Sequence, residues 1–270
     1  KGAAKTAFSR LFSGNAGLDS YSSAVSEFFF DVLGEGNYCG KGIYDVKAFS
    51  AALAGRIKDE RVLSHDILEG CYAKAGFASD VSVYDDHPAR YLSFMRREHR
   101  WIRGDWQLLP FIFGRSGLNA LSRFKLTDNL RRSLVMPAAA AVLLFAPLVE
   151  ASWAFALIAL LSICSGYLVD MFRAALRTRD AVVRLFDSYE SIKLTAAKLV
   201  FKLSVLPYEG WIALSAAAVS LWRTLVSHKN MLQWVTAAQA DRTAQRSVAG
   251  YYRAMLAAPV AGTILAVLGI

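Results

Sequence analysis

The feature that most constrains this chain is the charge-free apolar length that begins at Ser133. Ser133 to Val149 is 17 residues without a charge, and after Glu150 the stretch Ala151 to Val169 adds 19 more. A helix needs about 20 apolar residues to cross a bilayer core, so each run stands near that threshold. The pattern predicts a helical hairpin turning at Glu150, with Pro137 and Pro147 near the ends of the first run, where a kink is tolerated. Arg131 and Arg132 flank the hairpin on one side, and Arg173, Arg177 and Arg179 on the other. The turn itself has no Lys or Arg, so both outer ends belong on the cytoplasmic side. A buried, soluble helical hairpin is the alternative, because the runs are short and rich in alanine. Ala254 to Ile270, preceded by Arg242, Arg246 and Arg253, reads as the start of a further span.

Four segments follow. Residues 1–130 are expected to form a cytoplasmic domain, 131–173 the membrane hairpin, 174–253 cytoplasmic amphipathic or interfacial helices, and 254–270 the next span. In the third segment, Val182, Leu185, Ile192, Leu199 and Leu203 alternate with Arg184, Lys193, Lys198 and Lys202, and Trp211, Trp222 and Trp234 recur among basic residues. That suits a membrane interface, and equally an ordinary helix packed on the soluble domain. In the first segment, Phe28 to Val32 and Ile43 to Val46 read as strands. Gly34, Gly36, Gly40 and Gly42 mark a turn-rich stretch, and Ala51 to Ile57 and Ile67 to Lys74 have helical spacing. Leu108 to Phe113 is an apolar run ended by Gly114. The expected class is α/β.

The net charge of +9 raises the question of nucleic acid. Between Arg90 and Arg132 there are ten basic and three acidic residues, and this cluster runs straight into the first apolar segment. Basic residues beside a span are what attraction to anionic lipid predicts. A lipid bilayer, and no nucleic acid, is the expected partner. Cys39, Cys71 and Cys164 are odd in number and widely spaced, so they form neither a disulfide framework nor a zinc pattern. The chain starts at Lys1 and stops inside an apolar run, and both ends read as cuts in a longer polypeptide.

Two short segments carry chemistry. In Val62-Leu-Ser-His-Asp-Ile-Leu-Glu-Gly70, Asp66 and Glu69 stand three apart, on one face of a helix. Ser64 also fits as an N-cap with acids in the first turn, and that structural reading stands beside the catalytic one. In Arg97-Glu-His-Arg-Trp-Ile-Arg-Gly-Asp-Trp106, Arg97 and Arg100 recur at helical spacing, with Arg103 next in the series and Trp101 and Trp106 close by. Arginines in a row can clamp a pyrophosphate, and indole faces stack on apolar faces of sugars. A basic helix near the membrane with interfacial tryptophans accounts for the same residues.

Together, Ser64-His-Asp66 followed by Arg97-x-x-Arg100-Trp101 and then membrane spans resembles the processive inverting glycosyltransferases. The match narrows at Gly34-Glu-Gly-Asn-Tyr-Cys-Gly-Lys-Gly-Ile-Tyr-Asp-Val46, Ser64-His-Asp-Ile-Leu-Glu-Gly70 and His99-Arg-Trp-Ile-Arg-Gly-Asp-Trp-Gln-Leu-Leu-Pro110. Leu206-Pro-Tyr-Glu209, Trp222-Arg223 and Trp234-Val-Thr-Ala-Ala-Gln239 extend it. Over nearly its whole length the chain resembles the cyclic β-1,2-glucan synthases, glycosyltransferase family 84.

The resemblance implies the second half of a GT-A type domain and transfer of glucose from UDP-glucose to a growing β-1,2-glucan, at the cytoplasmic face of a bacterial inner membrane. By carry-over, Asp66 is the general base, Arg97 and Arg100 steady the departing UDP, and Trp101 lines the acceptor site. His65, Glu69, Lys41 and Trp106 are assigned to donor or acceptor binding. The family's divalent metal, Mg or Mn, sits on an Asp-x-Asp motif upstream. Asp19, Asp31, Asp45 and Asp59 each lack a second Asp two residues on. No metal ligands are therefore assigned within this chain, the nucleotide half is expected in the remaining domains of the parent polypeptide, and the fragment is expected to be inactive alone. The family builds glucan on a tyrosine of its own chain; Tyr21 is the candidate acceptor, with Tyr38 and Tyr44 as competitors. A linear or cellulose-type synthase and a non-catalytic membrane subunit are the alternative functions.

Overall fold

The computed structural model describes residues 6–12, 26–63, 66–78, 80–81, 88–146, 150, 152–177, 181–236, 239, 242 and 247–267. Among them there are helices and connecting turns and no strand. The α/β, GT-A type class expected for residues 1–130 is overturned by this finding. Phe28 to Val32, read as a strand, lies inside helix α2 (Ser26–Leu33). A short apolar run, here three phenylalanines and Val32 around Asp31, has no period of its own, so neighbouring sequence decides between strand and helix. Of that run Phe29 turns inward, its ring 6.4 Å from Phe124, while Phe28 and Val32 stay exposed. Ile43 to Val46 is also not a strand. Ile43 is fully exposed, and Asp45 instead caps helix α3 (Val46–Leu53) by accepting the Ala48 N–H at 2.8 Å.

The chain divides into two compact units. The first holds Lys1–Arg132 with Ser215–Thr243. Besides α2 and α3 it contains α1 (Ala7–Phe12), α4 (Asp66–Ala73), α5 (Tyr91–Gln107), α6 (Leu109–Phe113) and most of α7 (Ala120–Ser133). Its core is Val62, Leu68, Cys71, Tyr72, Leu108, Ile112, Leu118 and Leu126, with Leu53, Ile57, Ile67 and Phe111 packed around it. Burying each leucine of this set stabilises the unit by about 1.5–3 kcal/mol before chain entropy is counted. Gly114 ends α6, and the Asn119 side chain accepts the Ser122 N–H at 2.7 Å where α7 begins.

The second unit holds Ser133–Leu214 and Ala244–Ile270. Here α8 (Val135–Phe145), α9 (Ser152–Arg177) and the first part of α10 (Ala181–Trp222) meet through Ala139, Ala159, Ile163 and Leu206. Small residues let the helices approach: a Cβ on Gly210 would stand 3.3 Å from the Ala140 methyl and 3.4 Å from Pro137 Cα. The outer faces are apolar, with Trp153, Ile158, Leu161 and Val200 exposed. The stretch Ile192–Ser227 is long and apolar enough to cross a bilayer by length and composition; α8 and Trp153–Leu168 of α9 are shorter apolar helices. The length criterion thus falls within the segment that its interleaved Lys and Trp suggested was interfacial. Within it, Lys202 Nζ binds both carboxylate oxygens of buried Glu209, at 2.8 and 2.9 Å. Helices α11 (Val248–Ala254) and α12 (Ala257–Val267) complete this unit.

Candidate functional site

Asp66 is the first residue of α4, and Glu69 lies one turn on; both are half-buried. The glycine-rich segment folds back along this helix. Tyr38 packs on Gly70 so closely that a Cβ there would stand 2.6 Å from the Tyr38 Cβ. Two residues later, Gly40 lies over Asp66, where an added Cβ would be 2.8 Å from Oδ2, 3.0 Å from Cγ and 3.3 Å from Oδ1. Gly40 also has φ +81, in the left-handed region that side chains disfavour. Two residues of chain reach at most about 7 Å, and four helical residues rise about 6 Å, so the loop tracks α4 in the opposite direction. Desolvation pushes the Tyr38 phenol above its ordinary range, and the charges of Glu69, Tyr44 and Asp66 add to it. Lys41 extends from this loop and is exposed. The arrangement puts a carboxylate beside a wall of backbone, with a second acid and a phenol next to it.

The basic motif lies on α5. The Arg97 guanidinium stacks on Trp101, 4.5 Å from the ring centre, and lies 5.4 Å from Phe94. Arg100 stacks on Trp234 at 4.8 Å. A guanidinium over an aromatic ring is held by cation–π attraction, and its N–H donors lie in the guanidinium's own plane, a fork that matches phosphate oxygens. Arg103 has a different task. Buried at 6% exposure, it donates to the Gln233 carbonyl at 2.8 Å and the Met231 carbonyl at 3.2 Å. Gln107 Nε2 donates to the same Met231 oxygen at 3.1 Å, and its Oε1 accepts the Leu63 N–H at 2.7 Å. The C-terminal half of α5 thus ties down both the 231–234 segment and the chain leading into α4. Arg97 and Gln107 are ten helical residues apart, about 15 Å, so the Arg97–Trp101 contact and the Gln107–Leu63 contact lie at opposite ends of this stretch of α5.

Trp101 is partly exposed and Trp106 half-buried. Burial, with the charges of Arg103 and Arg223, pulls His99 below its ordinary pKa. Desolvation raises the Asp105 carboxyl to about 7; the Glu98 charge adds to the rise, while Arg132 and the Asn129 hydrogen bond oppose it. Ser64, His65 and Tyr21 lie outside the described residues. No group of three His, Cys, Asp or Glu side chains among the described residues could hold a metal ion. Sequence spacing did not single out Gln107, nor the pairing of Arg100 with Trp234, 134 positions apart in the chain. The only hint was Trp234 itself, an aromatic in a polar neighbourhood.

By sequence, the chain corresponds to one segment of a much longer glucan synthase. The relative is the cyclic β-(1,2)-glucan synthase NdvB of Rhizobium meliloti (strain 1021), 40% identical over 272 residues. The alignment covers 96% of this chain and 9% of that protein, so the chain spans under a tenth of the relative's length. The resemblance drawn from the motifs therefore holds over nearly the whole chain. No family model matches it.

Proposed function

We propose that the parent of this chain is a membrane-bound inverting glucosyltransferase that moves glucose from UDP-glucose to a growing β-1,2-glucan. The observation that carries this reading is the approach of Gly40 to Asp66, in a chain 40% identical to a cyclic glucan synthase segment. A carboxylate held against backbone is restrained in its rotamers, as a general base must be. Asp66 takes the proton of the acceptor hydroxyl while that oxygen bonds to the anomeric carbon. The bond from that carbon to the UDP oxygen breaks on the opposite side, and the configuration inverts. Arg97 and Arg100 meet the charge developing on the diphosphate. Trp101 and Trp106 stack on sugar, while His65, Glu69 and Lys41 bind donor or acceptor hydroxyls. A divalent cation on an Asp-x-Asp pair elsewhere in the parent polypeptide supplies charge to the diphosphate when bound. Apolar outer faces on α8 and α9 support a bilayer setting, with the catalytic part on the cytoplasmic side of the inner membrane. Tyr21 is proposed as the site where the glucan begins.

The test is linkage analysis of the product made from labelled UDP-glucose by membranes holding the full-length parent. β-1,2 linkages are expected. β-1,4 linkages would transfer the chain to the cellulose-type alternative, and no incorporation would favour a non-catalytic subunit. Glucan found on a peptide other than the one bearing Tyr21 removes that residue.

A further inference from the structure

We propose that Lys125 is a positioning residue for Asp66, anchoring the base of the glycine-rich loop whose far end closes on the carboxylate. This rests on the reading of Asp66 as the base. Lys125 is 2% exposed, on the inner side of α7 beside Leu126. A lysine so placed must find acceptors or lose its charge. Its ammonium donates to the Gly36 carbonyl at 3.0 Å and the Glu35 carbonyl at 3.3 Å, lies 3.7 Å from Glu35 Oε2, and faces the Phe29 ring at 5.3 Å. All these partners belong to α2 and the loop base, so the loop is what the ammonium holds. Burial lowers the Lys125 pKa, and Glu35 and Cys71 oppose that.

The opposite side of the loop base is fixed as well. The Gly36 N–H donates to the Ala75 carbonyl at 2.7 Å, just beyond α4, and Glu35 pairs with Lys74 and accepts from Asn119 at 3.3 Å. From buried Gly36 to Gly40 is four residues, about 14 Å at full reach. Within that length the loop docks Tyr38 on Gly70 and seats Gly40 on Asp66. A loop released at Gly36 loses the register that keeps Gly40 against the carboxylate. Misplacing a reacting group by about 1 Å costs on the order of a hundredfold in rate.

The experiment uses the full-length parent in membranes and compares wild type, Lys125→Met, Lys125→Arg, Glu35→Gln and Asp66→Asn. Three quantities are read for each: kcat, KM for UDP-glucose, and hydrogen exchange, followed in the peptides spanning residues 34–44 and 66–73. Lys125→Met is expected to lower kcat about ten- to a hundredfold with KM nearly unchanged, and to speed exchange in the loop but not in α4. Lys125→Arg recovers part of both, and Glu35→Gln, which removes the carboxylate facing Lys125 and Lys74 but leaves the carbonyl acceptors in place, gives a smaller loss of kcat and a smaller rise in exchange than Lys125→Met. Should Lys125→Met fail to accumulate, Lys125→Arg carries the same comparison. A folded Lys125 variant with a loosened loop and unchanged kcat, or with lowered kcat and an unaltered loop, overturns the proposal. If Asp66→Asn is as active as wild type, the base assignment has failed, and that outcome is distinct from a Lys125 failure.

Discussion

Gly40→Ala is the perturbation whose consequence follows most directly from the geometry. The new methyl would stand 2.8 Å from Asp66 Oδ2, where ordinary contact begins at 3.4 Å, so loop and carboxylate must separate by several tenths of an ångström. The backbone at φ +81 adds about 1–2 kcal/mol of strain for any side chain. Gly55→Ala is the matched control: its φ is +71, but nothing lies within 4 Å of the added methyl. Both variants incur the left-handed cost, and only one touches the acid. In membranes holding the full-length parent, with rates normalised to protein amount, Gly40→Ala is expected to incorporate glucose about ten- to a hundredfold more slowly. Gly55→Ala is expected to remain within about twofold of wild type, since backbone strain there acts on stability alone. Equal losses in both, or a normally accumulating Gly40→Ala at wild-type rate, would refute the idea that this glycine makes room for Asp66.

Three further outcomes follow from particular contacts. Asp105 is protonated in the folded state up to about pH 7 and releases its proton near 3.8 when free, so stability falls as pH rises between those values and then levels off. Asp105→Asn keeps an acceptor for Asn129 and should remove that slope, read as thermal midpoints at about pH 5 and about pH 8. Lys202→Met leaves the buried Glu209 carboxylate without that cation and should cost about 3–5 kcal/mol, largely recovered in the double variant Lys202→Met, Glu209→Leu; a double variant that melts as low as Lys202→Met would contradict this. Arg103→Lys cannot span the Met231 and Gln233 carbonyls together, so trypsin should cut faster after exposed Lys229, with an unchanged cleavage rate as the contrary result.

Local signals in the sequence translated well wherever one element decides its own form. The spacing of Ile67, Leu68 and Cys71 marked a helix, and α4 runs from Asp66 to Ala73; Gly114 marked an end, and α6 stops there. The short aromatic run at Phe28 failed because strand and helix look alike over five residues. Exposed Ile43 failed because an apolar residue next to a helix cap need not be inside. The candidate site was legible as residue types but not as roles. Arg97, Arg100 and Arg103 are equivalent by spacing, yet Arg103 is spent on carbonyls 128 and 130 positions away in the chain. Lys125 gave no sign of burial, since the two carbonyls it donates to carry no sequence signature and its side-chain partners, Glu35 and Phe29, lie 90 and 96 positions away.

The most direct measurement is glucose incorporation from UDP-glucose by membranes holding the full-length parent, set against its Asp66→Asn form. The amide is nearly isosteric and can still sit beneath Gly40, so insertion and folding should be kept. The account predicts β-1,2-glucan from the wild type and a loss of about a hundredfold or more in the variant, the scale of general-base catalysis. Equal synthesis by both would contradict it, leaving Asp66 as a residue of the helix start and the base elsewhere in the parent.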